Sequence, residues 1–171
     1  ESVLRHAELR QKSFAVFSFG KTYHATGWKA AYCVAPPELT TEFRKIHQFV
    51  TFTSTSFIQY AIADFMRDYP QHHLELPAFY QEKRDTFNAL LEPSRFTFTP
   101  SAGTYFQCVD YSAISDKPDM EFVAWLCQEK GVATIPLSPF YAQAPDSRVI
   151  RFCFCKDDST LQQAADILNQ L

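Results

Sequence analysis

Two lysines stand where an apolar chain has little reason to place them. The stretch Ser18-Phe19-Gly20-Lys21-Thr22-Tyr23-His24-Ala25-Thr26-Gly27-Trp28-Lys29 lies between an apolar run at residues 13–17 and another at 28–36. A lysine closing a buried strand needs a partner for its charge or a chemical task. One such task is covalent: an amine held at a strand end can form a Schiff base with an aldehyde and then carry a proton at the carbon beside the nitrogen. Ser18 and Lys29 flank Lys21 in sequence and supply one hydroxyl and one cation, a pair suited to a phosphate dianion. Gly27 would let the backbone pass close to a ligand.

These residues must be positioned by a folded domain, and the composition allows one. The chain has 171 residues, 46% hydrophobic and 16% aromatic, enough for a packed core. Acidic residues slightly outnumber basic ones, 19 to 16, and no basic run or face emerges, which argues against nucleic acid. No apolar stretch is long enough to span a membrane. The five cysteines (Cys33, Cys108, Cys127, Cys153 and Cys155) are odd in number and include no C-x-x-C pair, so no zinc or other metal site is signalled. They fit a reducing compartment, the cytoplasm. Cys153 and Cys155 share one strand face and read as small core residues. The histidines His24, His47, His72 and His73 show no ligand spacing. Glu1 is not a methionine, no signal peptide precedes it, and the chain reads as the C-terminal part of a longer protein.

Apolar spacing predicts buried strands at 13–19 and 28–35. Helices follow at 38–50, 57–68 and about 73–91, the last with Pro77 in its early turns. Beyond Pro93 the alternation of 96–99 and the run 105–111 predict strands. A helix is predicted at 119–130, capped by Gly131, then strands at 132–136 and 149–155. Asp158 is placed as the N-cap of a last helix. The result is an α/β chain. Its expected organisation is a large-domain remnant at 1–60, connecting helices at 61–92 and a small α/β domain at 93–171.

The motif at 18–29 resembles the cofactor-lysine motif of the class I/II aminotransferases, the fold type I enzymes that use pyridoxal 5'-phosphate. It is most similar to the methionine and kynurenine aminotransferase branch, which reads S-x-G-K-T-x-x-x-T-G-W-K. Gly103-Thr104-Tyr105-Phe106, Ile135-Pro136-Leu137-Ser138 and Ile150-Arg151-Phe152-Cys153-Phe154 match that branch in order.

The resemblance implies that Lys21 is the Schiff-base lysine and that Ser18 and Lys29 contact the cofactor phosphate. Many relatives carry Arg where Lys29 stands, which would exchange a point charge for a fork. Arg151 would bind the carboxylate of the amino or oxo acid, a planar group suited to a guanidinium inside an apolar strand. Its plain structural alternative is an ion pair with an acid such as Asp110. Tyr105, Phe106, Phe140 and Tyr141 would line a substrate pocket or fill the core. The implied protein is a homodimer acting on methionine, aromatic or kynurenine-type substrates. The family's pyridine-nitrogen Asp, its ring-contacting Asn and Tyr, its stacking aromatic and its Gly-rich phosphate turn all precede the lysine, in a segment longer than the twenty residues here. The isolated chain is therefore expected to be inactive or nearly so, and to expose the apolar faces of 13–19 and 28–35. Two rivals differ in class. Ser18-x-x-Lys21 also fits the S-x-x-K of serine acyl-transfer enzymes, whose S-D-N and K-T-G partners are absent. The chain could also be a structural or dimerising module with a vestigial site.

Overall fold

The computed structural model describes residues 2–171, which divide into two compact units, one reaching to Leu76 and the other running from Pro77 to Leu171.

The first unit contains α1 (Ala7–Arg10), β1 (Ala15–Ser18), the single turn α2 (Phe19–Thr22), β2 (Ala31–Val34), α3 (Pro37–Val50) and α4 (Ser56–Asp68). Strands β1 and β2 form an antiparallel ribbon with Ala15 opposite Val34 and Ser18 opposite Ala31. Phe17 stacks on its partner Tyr32 with ring centroids 5.0 Å apart. Pro37 opens α3, where its fixed φ suits a first helical turn and its missing N–H is not needed. The expected strands are thus shorter than the apolar runs, and they are not buried. Of β1 only Ala15 is buried, Val16 is 69% exposed, and Tyr32 and Val34 also face out. A two-stranded ribbon offers little area to bury, and α3 reaches it near Phe14, whose ring lies 6.0 Å from that of Phe43.

The second unit contains β3 (Phe106–Asp110), α6 (Asp119–Lys130), β4 (Ile135–Pro136), β5 (Val149–Cys153) and α7 (Asp158–Leu168); the long α5 (His72–Leu91), with Pro77 inside it, contributes its later turns. The sheet order is β3-β5-β4, antiparallel throughout, with Cys108 and Ile135 both opposite Arg151. Alternation decides which side chains enter the core. Gln107, Val109, Ile150 and Phe152 point inward and are buried, and Phe154 continues that face. They meet Phe87 and Leu91 of α5, Phe122 and Leu126 of α6, and Leu161, Ala165 and Leu168 of α7. Tyr111 lies flat on Phe122, centroids 4.0 Å apart. Gly131 ends α6 at φ 72, a left-handed cap that a Cβ would strain, and its N–H bonds Cys127 O at 3.2 Å.

Four sequence expectations change here. Cys153 and Cys155 are not core residues: inward Phe152 and Phe154 turn them to the outer face, where Cys155 is exposed. The alternation at 96–99 yields only an isolated bridge between Thr97 and Asp110, and the run 132–136 pairs only over its last two residues. The N-cap position of α7 is Asp157, with Asp158 one residue inside.

Candidate active site

Ser18 decides how the chain leaves β1. Its backbone is extended and its Oγ accepts the Gly20 N–H at 3.1 Å, so it caps a helical turn instead of prolonging the strand. Lys21 therefore sits in α2, not at a strand end as its apolar approach implied. Gly20 leaves room for this fold-back: a Cβ would lie 3.2 Å from Thr26 Cα and 3.3 Å from Ser18 Oγ, close enough that the turn would have to give by a few tenths of an ångström. The segment then folds back on itself. Ala25 N–H bonds Gly20 O at 2.9 Å, Trp28 N–H bonds Ala25 O at 3.0 Å, and Phe19 N–H bonds Ala30 O at 3.1 Å. That last bond closes the loop beside the Ser18–Ala31 pair, so Ser18, Lys21 and Lys29 gather at one end of the ribbon. Gly27 has open space around it, with nothing within 4 Å of a built Cβ.

Lys29 holds left-handed backbone, φ 54 and ψ 38. For a residue with a side chain this conformation costs on the order of 1–3 kcal/mol, and such strain clusters at ligand sites. Ser18, Lys21 and Lys29 are exposed, and among the described residues no carboxylate pairs with either lysine. The Ser18 hydroxyl uses an oxygen lone pair on Gly20 and keeps its own proton to donate. One further residue supports this turn and carried no sequence signal. His72 Nε2 lies 2.9 Å from Thr22 O, and its ring stacks on Tyr23 at 5.6 Å. The fifty positions that separate His72 from Thr22 hide that pairing from any local spacing rule.

Arg151 lies in the second unit, on the outer face of central strand β5. Its guanidinium carbon sits 4.0 Å from the Phe106 ring centroid and 5.3 Å from that of Phe140. Its Nε is buried and has no hydrogen-bond partner among the described residues, and no carboxylate pairs with it, Asp110 included. A buried guanidinium N–H without a partner is costly, so this Nε stands out from the other arginine donors of the second unit, which are paired with carboxylates or backbone oxygens. Phe106 and Phe140 accordingly belong to this outer face, not to the core. Tyr105 packs beside Phe106 and Tyr80, and Tyr141 is exposed.

Asp119 fixes the segment that brings Phe140 to Arg151. Its Oδ2 accepts the N–H groups of Leu137 at 2.8 Å and Ser138 at 2.7 Å, and its Oδ1 accepts Met120 N–H at 2.8 Å. Burial pushes the Asp119 carboxyl up, but the hydrogen bonds from Ser138, Met120 and Leu137 together outweigh it and hold the group below its ordinary value. Tyr80 Oη of α5 lies 3.2 Å from Cys155 Sγ, and burial, then the thiol, raise the Tyr80 phenol to about 12.

Residues 5–168 match the model of the family described as aminotransferase class I and II. The chain belongs to that family. Methionine aminotransferase of Escherichia coli K12 is 52% identical over 170 residues, covering 99% of this chain and 44% of that protein. Kynurenine–oxoglutarate transaminase of Dictyostelium discoideum is 33% identical, covering 94% of this chain and 42% of the relative. The crystal structure of YbdL from E. coli, described as having a methionine aminotransferase function, superposes with a TM-score of 0.95 at 52% identity, covering all of this chain and 45% of that one. The chain thus spans less than half the length of these relatives, and its α/β fold is that of part of a fold type I aminotransferase. The family is pyridoxal-phosphate-dependent, and the residues present fit that group: an exposed amine, a hydroxyl with a proton to give and a second unpaired cation share one loop.

Proposed function

We propose that the protein carrying this chain transfers an amino group between an amino acid of methionine, aromatic or kynurenine type and a 2-oxo acid, using pyridoxal 5'-phosphate. The observation that carries this reading is Lys21, exposed on a one-turn helix between Ser18 and Lys29 with no acid paired to it. When bound, the cofactor supplies the aldehyde that captures an amine and the electron-withdrawing ring that makes the substrate Cα–H acidic. Lys21 Nζ would hold the cofactor and then move a proton from the substrate Cα. The Ser18 hydroxyl and Lys29 ammonium would hold the phosphate, the first by donation and the second as a point charge. Arg151 would take the substrate carboxylate on its unpartnered N–H edge.

The organisation expected from sequence, a large-domain remnant over 1–60, connecting helices over 61–92 and a small domain over 93–171, belongs to the same proposal. So do a homodimer and a cytoplasmic setting. Among the described residues no helix is long and apolar enough to cross a membrane.

The test is a visible absorption spectrum of the purified protein mixed with pyridoxal phosphate, repeated with Lys21→Ala. The expected result is a new band that Lys21→Ala removes, together with loss of amino transfer from methionine or kynurenine. A band that survives the substitution would refute the assignment of Lys21. A 171-residue chain that gives no band, yet folds, would favour the structural-module reading for the chain alone.

A further inference from the structure

We infer that Phe106 is a positioning residue for the Arg151 guanidinium, holding it by the face of its ring so that the N–H edge stays directed at a carboxylate. The inference rests on the reading of Arg151 as the carboxylate anchor. Its basis is the register and the chemistry of the outer sheet face.

Arg151 occupies the middle strand, with Cys108 opposite it on one side and Ile135 on the other. Neither neighbour can hold a guanidinium by charge. No acidic side chain reaches it among the described residues, so the usual way of fixing an arginine, a bidentate carboxylate within the protein, is missing. An arginine with several rotatable bonds and no such partner would sample many positions, and ordering it on binding would cost affinity. Phe106 removes that freedom without occupying the N–H edge. It lies two residues from Cys108 on the same face, diagonal to Arg151, within reach of an aromatic ring. The guanidinium carbon sits 4.0 Å from its centroid, a close cation–π distance on a half-buried residue. Any acid in the same place would neutralise the charge the substrate needs, whereas an aromatic face attracts the cation and leaves its donors free. Phe140 adds a second ring at 5.3 Å from the turn that Asp119 holds.

The experiment uses holoenzyme containing this chain and the carboxylate 4-methylsulfanylbutanoate, which has no amino group to transfer. Calorimetry should show binding weakened roughly five- to tenfold in Phe106→Leu, which keeps apolar bulk but loses the ring face. Phe106→Tyr and Phe106→Trp should restore affinity to within about twofold, because both keep a ring. Arg151→Leu should remove most of the binding. If Phe106→Leu binds like the wild type while Arg151→Leu does not, the positioning role falls and the anchor stands. If Arg151→Leu itself binds like the wild type, the anchor falls and the positioning role with it. A second measurement needs no substitution: the Arg151 Hε and Hδ proton resonances of the wild type should be shifted upfield by the ring current of Phe106. Their appearance at ordinary arginine positions would overturn the inference.

Discussion

The unit up to Leu76 and the unit from Pro77 use their apolar residues in opposite ways. The second closes a core around Phe87, Tyr111, Phe122, Phe154 and Leu168. The first, among the described residues, buries only Ala15, Ala30 and Ile62 as hydrophobics, while Phe14, Val16, Ile46, Phe49, Phe52, Phe57 and Tyr60 face outward. Yet the first unit carries the amine, the hydroxyl and the second cation. The packed core and the candidate cofactor loop therefore lie in different parts of the chain. The site loop of the first unit is held by hydrogen bonds within one turn and by the His72–Thr22 contact, not by a deep core. Apolar surface exposed to that extent is of the kind that contacts between proteins use, and the chain spans less than half the length of its relatives.

The sharpest test of this contrast is one substitution made twice. Phe122→Ala removes a fully buried ring and should cost about 3–5 kcal/mol in urea unfolding. Phe49→Ala removes a ring that is 85% exposed and should change stability by less than about 0.5 kcal/mol. Equal costs would show that Phe49 is covered in solution and break the comparison.

Asp119 tests whether the second unit also owes its order to polar contacts. Asp119→Ala leaves three backbone N–H groups without their acceptor and should cost about 1–3 kcal/mol. The carboxyl is held below its ordinary value in the folded state. Its contribution is therefore present above the unfolded value of about 4 and is lost as pH falls from there through the folded value. Acid titration of stability in the wild type and in Asp119→Ala should differ above that window and converge below it. A constant difference at all pH would remove the carboxylate's charge from the account.

Tyr111 offers the smallest expected effect. Its hydroxyl donates to Lys117 O at 2.8 Å, and Tyr111→Phe should cost about 1 kcal/mol. Burial, then the charge of Asp119, raises its phenol from about 10 to about 12. The folded state thus favours the neutral ring. That stability is complete below about pH 10 and is lost as pH rises through about 12. Tyr111→Phe should flatten stability over that range, and an unchanged alkaline slope would show that other groups dominate there.

The helices were legible in the sequence because their apolar spacing is local: 38–50, 57–68 and 119–130 fall within a residue of the observed elements, and Gly131 is the cap it was read to be. The grouping of Ser18, Lys21 and Lys29 was legible too, because they lie within twelve residues. What failed was direction. A hydrophobic run says nothing about whether a second layer exists, so β1 and β2 were read as buried. Strand alternation puts every other residue outward, and counting cysteines as small and apolar did not reveal that Phe152 and Phe154 would claim the inner face. The turn at Ser18 was missed because a capping serine looks like any strand-end serine until its Oγ meets Gly20 N–H. Contacts such as Phe106 with Arg151 join residues far apart in the chain and leave no local pattern.

The left-handed backbone at Lys29 narrows what selection can accept there. Valine, isoleucine and threonine are disfavoured by their branched Cβ at φ 54. Glycine and asparagine suit the backbone but discard the charge. With the phosphate role proposed for Lys29, a long, unbranched cation meets both demands, and arginine is the replacement expected to be tolerated best.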